Sequence, residues 1–257
     1  MKKIILKLSL AFALIIKFAF IIAAPLNWQT VAPGIRYAEL TVTSSIFTGK
    51  IHAFEIDLQK NQLRFAFAKQ LNLPTASIEQ FVTANKALLG INGGFFTNAA
   101  DLLGLRLQDG LILNPLKSIS WWGVFYISNN QPHIVAGKNF SYNKSITFAI
   151  QSGPRLIINS QIVDLKPSID ERSAIGITKT GKVILVATDN APITTEQLAE
   201  LMLASPAQGG LGCTDALNLD GGSSTQMYAQ LNNFRLDDPS YKPVADAIIV
   251  IPKVNQK

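Results

Sequence analysis

Short runs of β-branched and aromatic residues recur from residue 35 to the end of the chain, each broken by Gly, Asn, Ser or Lys before it reaches helical length. Runs of that size with turn residues at both ends read as strands. They include "RYAELTV", "GKIHAFEIDL", "QLRFAFAK", "LLGING", "GLRLQDGLIL", "WWGVFYIS", "ITFAIQSG", "RLIINSQI", "SAIGIT", "KVILVATD", "DALNLD" and "AIIVIP". The first three predict an N-terminal antiparallel sheet, and "QDG" and "KTG" predict hairpin turns, where glycine accepts a positive φ. Two segments carry helical spacing instead. "SIEQFVTANK", residues 77–86, places Ile78, Phe81 and Val82 on one face behind Ser77 as N-cap. "TTEQLAELMLAS" places Leu198, Leu201 and Met202 on one face behind Thr194 or Thr195. The expected class is α+β: a strand-rich, mixed-sheet core with a few helices, in a single domain. With 48% hydrophobic and 16% charged residues in 257, the chain can bury a sizeable core and is not disordered.

Residues 1–24 differ in kind. They carry Lys2, Lys3, Lys7 and Lys17, a long apolar stretch, and the small residues Ala23 and Ala24 before polar sequence. This is the layout of a secretory signal peptide, leaving residues 25–257 as the mature domain in the periplasm or outside the cell. An uncleaved membrane anchor is the other reading, opposed by the cost of Lys17 in lipid. The leader also accounts for most of the basic charge: removing its four lysines lowers the formal +6 to 6 − 4 = +2. No later stretch interleaves Lys/Arg clusters with aromatics, so nucleic acid is not an expected partner. The membrane is expected to be met only through the leader. The single cysteine, Cys213, cannot form an intramolecular disulfide, and His52 and His133 stand apart from it and from each other, so zinc-ligand spacing is missing.

Chemistry is expected where apolar strands stop in glycine-rich polar turns. At "GINGGFF", Asn92 offers a donor and an acceptor, and Gly93 and Gly94 let backbone N–H groups approach a ligand; an ordinary Asn-Gly turn is the plainer reading. At "QSGPRLI", Ser152 and Gly153 precede a proline-enforced bend. At "ERSAIGIT", Arg172 can hold a phosphate with its planar fork or pair with Asp170 or Glu171. At "LNLDGGSST", Asp220 ends an apolar strand ahead of Gly221, Gly222, Ser223 and Ser224. Burial raises a carboxylate's pKa while N–H groups and hydroxyls keep it ionised, a tension typical of functional sites. Asp220, Asp215 and Asp189 are hard oxygen donors suited to Ca²⁺ or Mg²⁺, although their spacing fits no familiar metal loop, and no other cofactor is expected.

Taken in order, "GINGGFF", "LLGLRLQDG", "QSGPRLI", "ERSAIGIT" and "DALNLDGGSSTQMY" resemble the phosphodiester glycosidase domain family over about residues 50–251. That family includes the lysosomal-pathway uncovering enzyme and bacterial secreted proteins. "NPLKSISWWGVFYI" is most similar to its bacterial periplasmic branch, whose substrate is unknown. The resemblance implies hydrolysis of a sugar 1-phosphodiester at the glycosidic C–O bond. Asp220 and Arg172 would be the catalytic pair, with Asn92, Gly93, Gly94, Ser152, Gly153, Gly221, Gly222, Ser223 and Ser224 around a carbohydrate or sugar-phosphate ligand. Glu171 and Arg155 depart from the family pattern, which bears on substrate identity. A non-catalytic carbohydrate-binding protein of the same fold is the competing reading, in which an exposed tryptophan of the Trp121–Trp122 pair would stack on sugar. A serine hydrolase using Ser152 or Ser223 lacks a partner base.

Overall fold

The computed structural model describes residues 25–43, 48–239 and 242–253. The leader lies outside them. Among the described residues no helix is long and apolar enough to cross a membrane.

Three antiparallel sheets and two helices make up most of the molecule. The largest sheet has eight strands in the spatial order Gln29–Ala32, Ile35–Thr43, Thr48–Ile56, Val183–Asp189, Ser173–Thr178, Cys213–Asn218, Arg155–Ile158 and Gln161–Ile162. The second runs Phe234–Asp238, Met227–Leu231, Leu89–Asn92, Asp246–Pro252 and Asn61–Phe67. The third runs Leu111–Asn114, Arg106–Gln108, Ile146–Ser152, Gly123–Ser128 and Gln131–Ala136. A two-residue ladder joins Ile169–Asp170 to Ile193–Thr194. The α+β class stands, and within it the described ladders are antiparallel.

Side-chain alternation decides what each sheet covers. In Val183–Asp189, the residues Val183, Leu185 and Ala187 enter the central core, while Ile184 and Val186 face the opposite way. The central core also takes Ile91, Met227 and Ile248 from the second sheet and Phe125 and Phe148 from the third, so it lies where the three sheets meet. The outer face of the large sheet is covered by helix α2, Thr195–Leu203, through Leu198, Leu201 and Met202. Helix α1, Ile78–Asn85, covers the second sheet through Ile78, Phe81 and Val82. Both helices start at the expected caps: Ser77 accepts from Gln80 N–H and Thr194 from Gln197 N–H. Strands buried on both faces tolerate little loss of volume, and truncating Ile175 to Ala would cost about 2–5 kcal/mol.

Two expectations change. The N-terminal sheet keeps Ile35–Thr43 and Thr48–Ile56, but Asn61–Phe67 leaves it for the second sheet, pairing with Asp246–Pro252. A pairing across that much sequence leaves no local trace. The tryptophan pair precedes the strand Gly123–Ser128 instead of lying within it. Trp122 is 5% exposed and Trp121 is 56% exposed, because in the turn one ring packs inward and the other is left outside.

Candidate active site

The strand Cys213–Asn218 carries the chain towards a cleft of about 600 Å³ whose lining includes Asp220, Gly221 and Gly222. One wall is aromatic, formed by Phe95 and the exposed Trp121; Trp122 backs it, stacked on Phe95 with ring centroids 5.0 Å apart. The lining also includes Leu165, Lys166, Ser168, Asp170 and Arg172. Gly153, Pro154 and Asn218 also reach the cleft.

Asp220 is held mainly by neutral groups. Its Oδ1 accepts from Gly221 N–H at 3.0 Å, and the Ser224 hydroxyl donates to the carboxylate. Burial pushes its pKa above the ordinary carboxylate value; the Ser224 and Gly221 hydrogen bonds oppose that, Asp246 adds to it, and Arg106 acts against it more weakly. Gly222 has φ +60, and a Cβ there would stand 3.0 Å from Asp170 Oδ2. The double glycine thus folds the Asp220 loop flat against residues 170–171, fixed by Gly222 N–H donating to Glu171 O at 2.8 Å.

Arg172 is 8% exposed. Its Nη2 donates to Ser168 O at 2.5 Å and to Ser168 Oγ at 2.8 Å, and its Nε donates to Ile193 O at 3.2 Å. These acceptors are neutral, so the guanidinium charge has no carboxylate in ion-pair contact among the described residues. Burial lowers its pKa and Asp170 counters that. The surface pair with Asp170 or Glu171 is therefore not formed.

Asn92 stands beneath the cleft and not in it. Its Nδ2 donates to Asp220 O at 2.7 Å, and its Oδ1 accepts from Ser173 Oγ at 2.6 Å and from Gln226 N–H at 3.3 Å. Asn92 thereby ties the second sheet to the Asp220 turn. Gly93 and Gly94 serve a close approach: a Cβ on Gly93 would lie 2.4 Å from Asp246 Oδ1, and one on Gly94 would lie 2.7 Å from Arg106 Nη2. Those two groups form a wholly buried ion pair, Arg106 Nε to Asp246 Oδ2 at 2.5 Å. The glycine pair thus makes room for a salt bridge under the site. Ser152 is fully buried, and its Oγ has no hydrogen-bond partner among the described residues. Ser223 is exposed and its carbonyl accepts from Lys242 N–H. Thus Asp220, Arg172, Gly153, Gly221 and Gly222 share the cleft, whereas Asn92, Gly93, Gly94, Ser152 and Ser224 support it from behind.

The acids considered for a metal do not gather. Asp215 accepts from Asn159 N–H, and Asp189 lines a different cavity from Asp220. Neither histidine lines the cleft: His52 is buried against Tyr37, its Nδ1 2.7 Å from the phenol oxygen, and the exposed His133 stacks on Tyr126. Burial lowers the pKa of His52 and raises that of Cys213. Arg106, Asp246, Ser173, Gln226 and Asn218 are supporting or lining residues that sequence patterns did not single out. An arginine inside the apolar run "LLGLRL" and an aspartate opening "DAIIVIP" were the available signals, since charges are seldom buried without a partner.

A family model described as phosphodiester glycosidase matches residues 85–251. An uncharacterised protein of Escherichia coli K12, YigE, is 31% identical over 115 residues, which span 40% of this chain and 45% of that protein. Among solved structures, the zebrafish N-acetylglucosamine-1-phosphodiester alpha-N-acetylglucosaminidase catalytic domain, auto-inhibited by its pro-peptide, superposes with a TM-score of 0.67 at 16% identity, covering 90% of this chain and 89% of that one. A hypothetical protein from Synechocystis gives 0.59 at 18% identity, covering 90% of this chain and 64% of its own. A putative exported protein of Burkholderia pseudomallei gives 0.58 at 12% identity, covering 80% and 74%. At these identities the structural likeness is one of fold.

Proposed function

Because this chain belongs to the phosphodiester glycosidase family, we propose that it hydrolyses the glycosidic bond of a sugar 1-phosphodiester, in glycans of the cell envelope or its surroundings, after export. The observation that carries the reading is Asp220, a partly buried carboxylate without a salt-bridge partner among the described residues, in the same cleft as the cations Arg172 and Lys166.

The chemistry follows from that charge layout. As the C1–O bond breaks, its electron pair goes to the phosphate oxygen and positive charge develops on the sugar ring. Asp220 supplies the opposing charge beside C1, from a partly buried position where solvent screening is reduced. Arg172 and Lys166 take up the growing charge on the departing phosphate. Water then adds to C1 and releases a proton, giving the free sugar and a phosphate monoester on the second alcohol. A phosphate monoester is a good leaving group, so no separate general acid is needed. Trp121 and Phe95 provide the face on which the sugar ring rests. That aromatic wall would equally serve a protein that only binds carbohydrate.

Hydrolysis in ¹⁸O-water with mass spectrometry of both products tests the reading. The label is expected in the free sugar. Label in the phosphate would mean cleavage at phosphorus, and binding of sugar phosphodiesters without turnover would favour the binding protein.

A further inference from the structure

Asp170 and Arg172 line the cleft, and Glu171 between them lines a second cavity of about 440 Å³. Its other acids are Asp189 and Asp238, with the hydroxyl-bearing Thr188 and Thr225 beside them and no Lys or Arg in the lining. Two of these side chains are more than nine-tenths buried and incompletely satisfied. Asp238 is 4% exposed and Thr225 is 5% exposed, and Asp238 Oδ2 and Thr225 Oγ1 have no hydrogen-bond partner among the described residues. A buried carboxylate oxygen with no donor, beside two further acids and no cation, carries a large desolvation and repulsion cost. A cation in the cavity removes both.

We propose that this cavity is a divalent-cation site suited to Ca²⁺, with Asp238 and the Thr225 hydroxyl as direct oxygen donors, Asp189 and Glu171 acting through bridging water, and further water completing the shell. Water is required because no three His, Cys, Asp or Glu side chains among the described residues are grouped to ligate an ion directly. All-oxygen donors disfavour zinc and copper, and an irregular set from four separate segments suits the loose coordination of Ca²⁺ better than the strict octahedron of Mg²⁺. His52 stands behind one of these acids: its Nδ1 faces the Tyr37 phenol, and its Nε2 lies 3.8 Å from Asp189 Oδ2. The site also reaches the cleft through the chain, because the Thr188 hydroxyl bonds to Glu171 and accepts from Arg172 N–H at 2.8 Å. A bound cation would therefore brace the segment that presents Arg172.

The test compares thermal melts and titration calorimetry of chelator-treated protein with CaCl₂, with MgCl₂, and with NaCl at matched ionic strength. Ca²⁺ at a hundred times its Kd is expected to raise Tm by roughly 5 °C or more, with a smaller rise from Mg²⁺ and none from NaCl. Asp238→Asn and Thr225→Val should each weaken Ca²⁺ binding, Asp238→Asn by tenfold or more, while Asp220→Asn keeps the wild-type response. No Ca²⁺-specific shift or heat in the wild type overturns the site. So does an unchanged response in both cavity variants, or a response abolished by Asp220→Asn. Should Asp238→Asn fail to fold, Thr225→Val and Asp189→Asn decide the matter in the same way. Neither readout depends on glycoside hydrolysis.

Discussion

Two arginine–aspartate combinations stand at and beneath the cleft, and they are built in opposite ways. Arg106 and Asp246 are both fully buried and in direct contact, and Arg106 Nη1 is surrounded by the carbonyl oxygens of Leu103, Gly104, Leu105 and Gln151. Arg172 and Asp220 open onto the cleft, each held by neutral hydrogen bonds and neither in a salt bridge among the described residues. A paired, sealed charge can do nothing but hold the fold together. Charge left uncompensated at a cleft is available to a substrate. The first pair should therefore govern stability and the second turnover.

The largest expected effect lies in the sealed pair. Asp246→Asn leaves Arg106 charged and unpaired in the interior, and should destabilise the fold by about 3–5 kcal/mol, read as a lower midpoint in denaturant melts. A melt close to wild type would erase the contrast between the two pairs. Next comes Arg172→Lys, which keeps the charge but loses the fork that bonds Ser168 and Ile193 together. A loss of about tenfold in kcat/KM, some 1.4 kcal/mol, is expected with little change in melting. Trp121→Ala should act on binding alone, raising KM several-fold through the loss of about 1 kcal/mol of contact with the sugar face, with kcat nearly unchanged. The smallest effect concerns pH. Burial sets the Asp220 carboxyl above its ordinary value, so activity should fall as pH drops through that raised value and Asp220 is protonated. Ser224→Ala removes a hydrogen bond that favours the charged form, so the acid limb of the pH–rate profile should move to higher pH. A limb that stayed in place would show that another group controls it.

Much of this was legible in the sequence, for identifiable reasons. Strands buried on both faces, such as "KVILVATD", are dense in β-branched residues, and Ser77 and Thr194 follow ordinary capping chemistry. The "DGG" turn at Asp220 showed as a carboxylate at the end of an apolar run. What stayed hidden depends on contacts between distant segments. The glycines of "INGG" gave no hint that they clear space for Arg106 and Asp246, residues of two different sheets that only the packing of those sheets brings together. Asn92 carries the right functional groups, but its partners, Ser173 Oγ and the Asp220 carbonyl, are supplied by other strands. The hairpin of Met227–Leu231 and Phe234–Asp238, which delivers Asp238 to the acidic cavity, escaped notice because its second strand alternates with charged residues and its turn is a plain Asn-Asn.

The central claim is that Asp220 acts on the reaction and not on the fold, and Asp220→Asn tests it most directly. Its raised pKa means that the folded chain holds this proton more tightly than the unfolded chain does. Between the ordinary and the raised values, the stability it contributes falls as pH rises, so removing the charge at neutral pH should not destabilise the protein. The measurement is kcat of wild type and Asp220→Asn on a sugar 1-phosphodiester, beside a thermal melt of each. The account predicts at least about a hundredfold lower kcat, near 3 kcal/mol of lost transition-state stabilisation, with an unchanged or slightly higher Tm. Wild-type turnover by Asp220→Asn, or a collapsed melt, would contradict it.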